Sequence, residues 1–98
     1  MVYLVHIHLL PHPSGTGLPG GTAAAIAEVL PDGMGIRHIS LHASEQPAPV
    51  LGVYLESRTL VHAESSARTL WETAADALPW LREWSLLRAE VPLMPAAY

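Results

Sequence analysis

The chain contains no cysteine, lysine, phenylalanine or asparagine among its 98 residues. Without cysteine there is no disulfide, no thiolate metal ligand and no thiol nucleophile, which excludes redox chemistry by protein thiols. The joint absence of lysine, phenylalanine and asparagine, whose codons are A/T-rich, reads as GC-rich coding. Positive charge is scarce: five arginines stand against nine acids, for a formal net charge of −4. Nucleic-acid binding relies on clustered Lys and Arg, so an acidic chain of this kind argues against a nucleic-acid partner. There is also no apolar run of the ~20 residues needed to cross a bilayer. The apolar start Met1–Leu10 is interrupted by His6 and His8 and lacks a positive leader and a small-residue cleavage site. Neither a signal peptide nor a membrane span is expected, and a cytoplasmic location is.

Half of the residues are apolar and only 14% are charged, the balance of a globular chain. Its length suits one domain, residues 1–98, around one two-layer core. Residues 2–10 are rich in β-branched and aromatic side chains and end at Pro11 and Pro13, a strand signal. Tyr3, Val5, Ile7 and Leu9 alternate with Val2, Leu4, His6, His8 and Leu10. Both faces are largely apolar, so this strand belongs in the middle of its sheet. A Gly-rich loop leads to Thr22, a plausible N-cap for a short helix over Ala23–Leu30 that Pro31-Asp32-Gly33 would stop.

The second strand is expected over Gly35–Ala43, with Ile39, Leu41 and Ala43 on one face and Ile36, His38, Ser40 and His42 on the other. Pro47 and Pro49 close the connection to a third strand, Val50–Glu56, with Leu51, Val53 and Leu55 inward and Val50, Gly52, Tyr54 and Glu56 outward. From Thr59 the period lengthens to 3.6, with Leu60, Ala63, Ala67, Leu70, Ala74, Ala77 and Leu81 as the apolar stripe of a helix that Pro79 should kink or end. A last strand is expected over Leu86–Met94, with Leu87, Ala89, Val91 and Leu93 facing the helices and Leu86, Arg88 and Glu90 facing away. Pro92 removes a ladder donor and places that strand at an edge. Strand, helix, strand, strand, helix, strand is the ferredoxin-like βαββαβ order: a four-stranded antiparallel sheet with two helices on one face.

If both helices cover one face, the other is bare. It would carry Leu4, Gly52, Tyr54, Glu56, Arg88 and Glu90 beside the histidines, with a contiguous apolar portion that should pack against something. A second copy is the simplest cover, giving a sheet-to-sheet homodimer. His6 and His8 are two residues apart on one strand, so they leave the same face with Cα atoms about 7 Å apart, close enough to share an ion. In the strand order 4-1-3-2, His38 or His42 would have to reach across the third strand, where Gly52 has no side chain in the way. His38 and His42 are themselves about 13 Å apart, so one ion cannot take all four. The bland alternative makes these histidines half-buried interface residues. Glu56 is a further oxygen donor in reach of such a site. His12 and His62 read as solvated.

Other patterns carry less. Gly15 to Gly20 matches G-x-G-x-x-G, but the helix after it is short and the strands look antiparallel, so a turn is the better reading. The same stretch fails as a phosphate loop because Gly21 stands where the lysine is needed. Ser40 neighbours His38 and His42 without an identifiable third triad member or oxyanion hole. Trp71, Trp80 and Trp84 read as packing residues, with Trp80 and Trp84 placed to line a small pocket.

The order of elements resembles that of dimeric α/β-barrel proteins, which include small cofactor-free monooxygenases, cyclases and ligand-sensing modules. That resemblance spans nearly the whole chain and carries over no functional residue. Three functions are therefore expected in turn. The first is a non-catalytic homodimeric accessory or interaction module, with room for a small ligand or a protein partner and no cofactor. The second is a divalent transition-metal protein using His6, His8, His38 and His42. The third is a cofactor-free enzyme of the barrel type.

Overall fold

A computed structural model describes residues 1–42 and 48–92. Its elements are β1 (Val2–Leu9), α1 (Thr22–Val29), β2 (Ile36–His42), β3 (Val50–Glu56), α2 (Leu60–Ala77), a 3₁₀ segment (Pro79–Glu83) and β4 (Leu86–Glu90). The strands form one sheet in the order β2-β3-β1-β4, with every neighbouring pair antiparallel. β1 and β3 are central, as the two-sided apolar character of β1 requires. Val5, Ile7, Leu9, Leu51, Val53 and Leu55 are buried on the face that carries the helices. α1 lies over β2, α2 lies over β1 and β4, and the two helices touch each other.

Two register shifts change which residues face the core. The β2–β3 pairing matches Ile36 with Leu55 and His38 with Tyr54, so Arg37 is an extra residue between them. A bulge residue resets the period-2 phase. Period-2 counting places Ile36 in phase with the histidines, but it packs partly buried against the core. The same happens in β4, where His8 pairs with Arg88 and Leu9 with Leu86. Leu86 thus turns to the core, and Leu87, predicted to face the helices, is 50% exposed. The open face consequently loses two of its predicted apolar residues.

β4 is an edge strand, and it ends at Glu90. The Val91 amide donates to Glu64 Oε2 on α2 (2.9 Å), leaving the ladder before Pro92. Of the remaining sequence-predicted positions, Ala43, Pro47, Leu93 and Met94 lie outside the described residues.

α2 begins where the sequence changes period. Thr59 has extended backbone and its Oγ1 accepts from the His62 amide at 3.1 Å, satisfying one of the free donors of the first turn. Thr59→Ala is expected to lower stability by about 1 kcal/mol, read as a reduced urea midpoint at unchanged slope. A variant as stable as the parent would show that the cap contributes nothing. The buried stripe is Ala63, Ala67, Leu70, Trp71, Ala74 and Ala75, whereas Leu60 and Ala77, both counted as buried from the sequence, are exposed. They are the first and last residues of the helix. Pro79 ends the helix as expected, and Leu81 and Trp84 after it are buried.

Thr22 is not the α1 cap: Gly21 occupies that position with no side-chain bond, and the Thr22 hydroxyl instead donates to the Pro19 carbonyl at 2.6 Å. Gly35 has a φ of +76°, and a Cβ there would lie 3.0 Å from the Glu56 carbonyl oxygen. The turn into β2 therefore favours glycine.

Candidate functional site on the open sheet face

The face away from the helices is organised by cross-strand pairs, since residues directly opposite share a side. Glu90, His6, Gly52 and Ser40 form one row across β4, β1, β3 and β2, and Arg88, His8, Val50 and His42 form the next. Leu4, Tyr54 and His38 make a third, and Val2 pairs with Glu56 beyond it.

Side chains of the first two rows converge. The His42 imidazole leans from β2 over Gly52, where a Cβ would lie only 2.5 Å from its Nε2. It meets the His6 ring at 5.5 Å between centroids, and His6 meets His8 edge-on at 6.0 Å. Ser40 Oγ lies 2.9 Å from His42 Nε2. His8 Nε2 is 3.2 Å from Glu90 Oε1, which also accepts from Arg88 Nε at 3.1 Å. Hydrogen bonding by Arg88 is the main reason the Glu90 carboxyl titrates below its usual range.

His38 stands apart, against Tyr54 at 6.2 Å between centroids. It is four residues from His42 on the strand, so it does not join the other three. Glu56 is also remote from them: it sits four residues from Gly52 on β3, about 13 Å away, and is bound by the Arg37 guanidinium. That hydrogen bond holds the Glu56 carboxyl below its ordinary pKa. The acid beside the histidines is Glu90, because the β1–β4 register places it opposite His6. Among the described residues no three His, Asp or Glu side chains hold donor atoms in a ligating arrangement.

His6 is held below the ordinary histidine pKa of 6.5, first by partial burial, then by His42 and His8, with Glu90 opposing. The folded chain thus takes up this proton less readily than the unfolded one. Stability is complete above the unfolded pKa of about 6.5 and falls as pH drops toward the lowered folded value. The expected result is a lower urea midpoint at pH 5 than at pH 8, with the difference reduced in His6→Gln. An undiminished difference in that variant would assign the effect to other groups.

Elsewhere the structure revises smaller readings. His12 is not solvated: its Nε2 lies 2.7 Å from Glu83 Oε1, its Nδ1 accepts from the Ser14 amide at 3.0 Å, and its ring packs on Trp84 at 4.9 Å. Trp84 Nε1 donates to the Thr16 carbonyl at 3.3 Å, and Leu18 is buried, so the Gly-rich loop is tied to the core. Trp71 and Trp84 are core residues, and Trp80 packs partly buried against the core. An open groove of about 880 Å³ runs between α1 and the start of β2, lined by Ala23, Ala24, Ala27, Met34, Ile36 and His38 among others. Sequence reading missed it because it arises from alanines on α1 lying beside an edge strand. No described helix is long and apolar enough to cross a membrane. Comparison of the chain with protein-family models, curated proteins and solved structures finds no match in any of the three.

Proposed function

We propose that this chain works as a homodimeric accessory or interaction module that packs its open sheet face on that of a second copy. The reading rests on one observation: helices cover a single side of the sheet. The other side leaves Val2 and Tyr54 exposed and Leu4 and Val50 half-buried. Its formal charges are paired within the face, Arg37 with Glu56 and Arg88 with Glu90. Two such faces meet without like-charge repulsion, which suits a self-complementary two-fold contact. A standard interface takes about 800 Å² from each partner, roughly one-seventh of the 5857 Å² surface. Read from the β4 edge the strand order is 4-1-3-2, which supports the ferredoxin-like assignment and, with it, sheet-to-sheet pairing. The groove beside α1 is large enough for a small ligand.

Divalent-metal binding is the second reading, favoured by the spacing of His6, His8 and His42. Two imidazoles on one tetrahedral ion place their centroids about 5 Å apart, near the 5.5 Å between His6 and His42. A third donor would have to swing in. Native mass spectrometry of untagged protein, with Zn²⁺ and with chelator, tests both readings. A dimer indifferent to chelator supports the module. Stoichiometric zinc lost on chelation supports the metal site, and a metal-free monomer at micromolar concentration overturns both.

A further inference from the structure

The geometry points to Ser40 as a nucleophile toward small activated acyl donors, esters or thioesters, with His42 as its general base. Three observations place the pair. Ser40 Oγ and His42 Nε2 are 2.9 Å apart, within the reach a proton transfer requires. Gly52 provides the seat: a Cβ there would stand 2.5 Å from His42 Nε2, 2.8 Å from its Cδ2 and 3.2 Å from Ser40 Oγ. The His6 ring adjoins His42 at 5.5 Å between centroids, limiting where the imidazole can go. Ser40 is partly exposed and His42 exposed, so an acyl donor can approach from solvent.

In the Nδ1–H tautomer, His42 Nε2 accepts from the Ser40 hydroxyl. Oγ adds to the carbonyl carbon, its proton passes to Nε2, and the carbonyl electron pair moves onto oxygen. Collapse of that adduct breaks the bond to the alcohol or thiol, which leaves with the proton from His42. Water then repeats the sequence on the acyl-serine, releasing the carboxylic acid and restoring the hydroxyl. Gly52 acts as a positioning residue, since it contributes no reacting group and acts by seating the His42 ring.

All of these residues belong to one chain, but they lie on the open face that the proposed dimer would cover, so the reaction belongs to the uncovered face and does not rest on that dimer. The experiment treats the 98-residue chain, with chelator present, with p-nitrophenyl acetate, and maps the acetyl group by peptide mass spectrometry after an acid quench. Ser40 is expected to carry the acetyl ester, and Ser40→Ala to lack it. His42→Gln should slow acetylation of Ser40 by about 100-fold, and Gly52→Ala should do so while retaining both reacting residues. Circular dichroism checks that each variant is folded; if Gly52→Ala is not, His42→Gln on the exposed edge strand decides. Acetyl groups on histidines or the amino terminus without Ser40, or equal Ser40 acetylation in His42→Gln, overturns the assignment. The same reaction on a Leu4→Arg variant separates the two ideas, because a monomer that acetylates Ser40 at least as fast as the parent retains this site without the interface, and a folded monomer that leaves Ser40 unmodified overturns the assignment.

Discussion

Replacing Ile7 with alanine is expected to lower the unfolding free energy by about 2–5 kcal/mol. Ile7 is fully buried in the central strand, between Leu51 on β3 and Ala89 on β4 in the inward-facing row. The strands of Ile7 and Leu51 are held by ladders on both sides, so the site cannot collapse far into the space left behind. The loss combines the transfer free energy of the missing methyl and methylene groups with a cavity cost, and a rigid site retains most of the latter. Domains of this size are stable by only about 5–15 kcal/mol in total, so the change consumes a large share. A fall in melting temperature of roughly 10–30 °C follows. Urea and thermal unfolding followed by circular dichroism measure it, with Val61→Ala at an exposed position of α2 as the comparison, expected to stay within about 0.5 kcal/mol. A loss below 1 kcal/mol at Ile7 would mean that the central row is not packed as described.

The second large effect is on association. Leu4→Arg is expected to weaken the proposed homodimer by about 100-fold in Kd. Leu4 is directly opposite Tyr54 on the open face, in the row next to the histidines. In a two-fold contact each substitution occurs twice, so two guanidinium groups would be introduced into an interface with no free acid to receive them. Glu56 and Glu90 are already paired with Arg37 and Arg88. Val61→Arg adds the same charge to an exposed position of α2, on the helical layer, and should leave association unchanged. Light scattering across a dilution series reads the outcome. Equal weakening by the two variants would assign the effect to net charge and remove the open face as the interface.

Much of this architecture was legible as periodicity. The alternation of β1 and β3, the switch to a 3.6 period after Thr59 and the stop at Pro79 follow from local chain geometry, which short sequence windows report directly. Gly52 could be singled out because a glycine in an outward position leaves a gap wherever its neighbours are tall. The structure fills that gap with the His42 ring reaching toward His6. What local windows cannot carry is register. The extra residues Arg37 and Leu87 reset the phase of β2 and β4, and whether a strand bulges depends on hydrogen bonds to a partner distant in the chain. Ile36 and Leu86 changed faces for that reason.

The same distinction separates the two parts of the site. By itself the sequence determined which residue types were available: imidazoles, hydroxyls and carboxylates at period-2 positions, with no thiol or lysine to compete. Only the tertiary structure decided the partners, choosing His42 over His38 to meet His6, Glu90 over Glu56 to meet His8, and Ser40 to bond His42. Composition and periodicity are properties of contiguous chain, whereas those contacts depend on strand order and on pairing registers set by the burial of the opposite face.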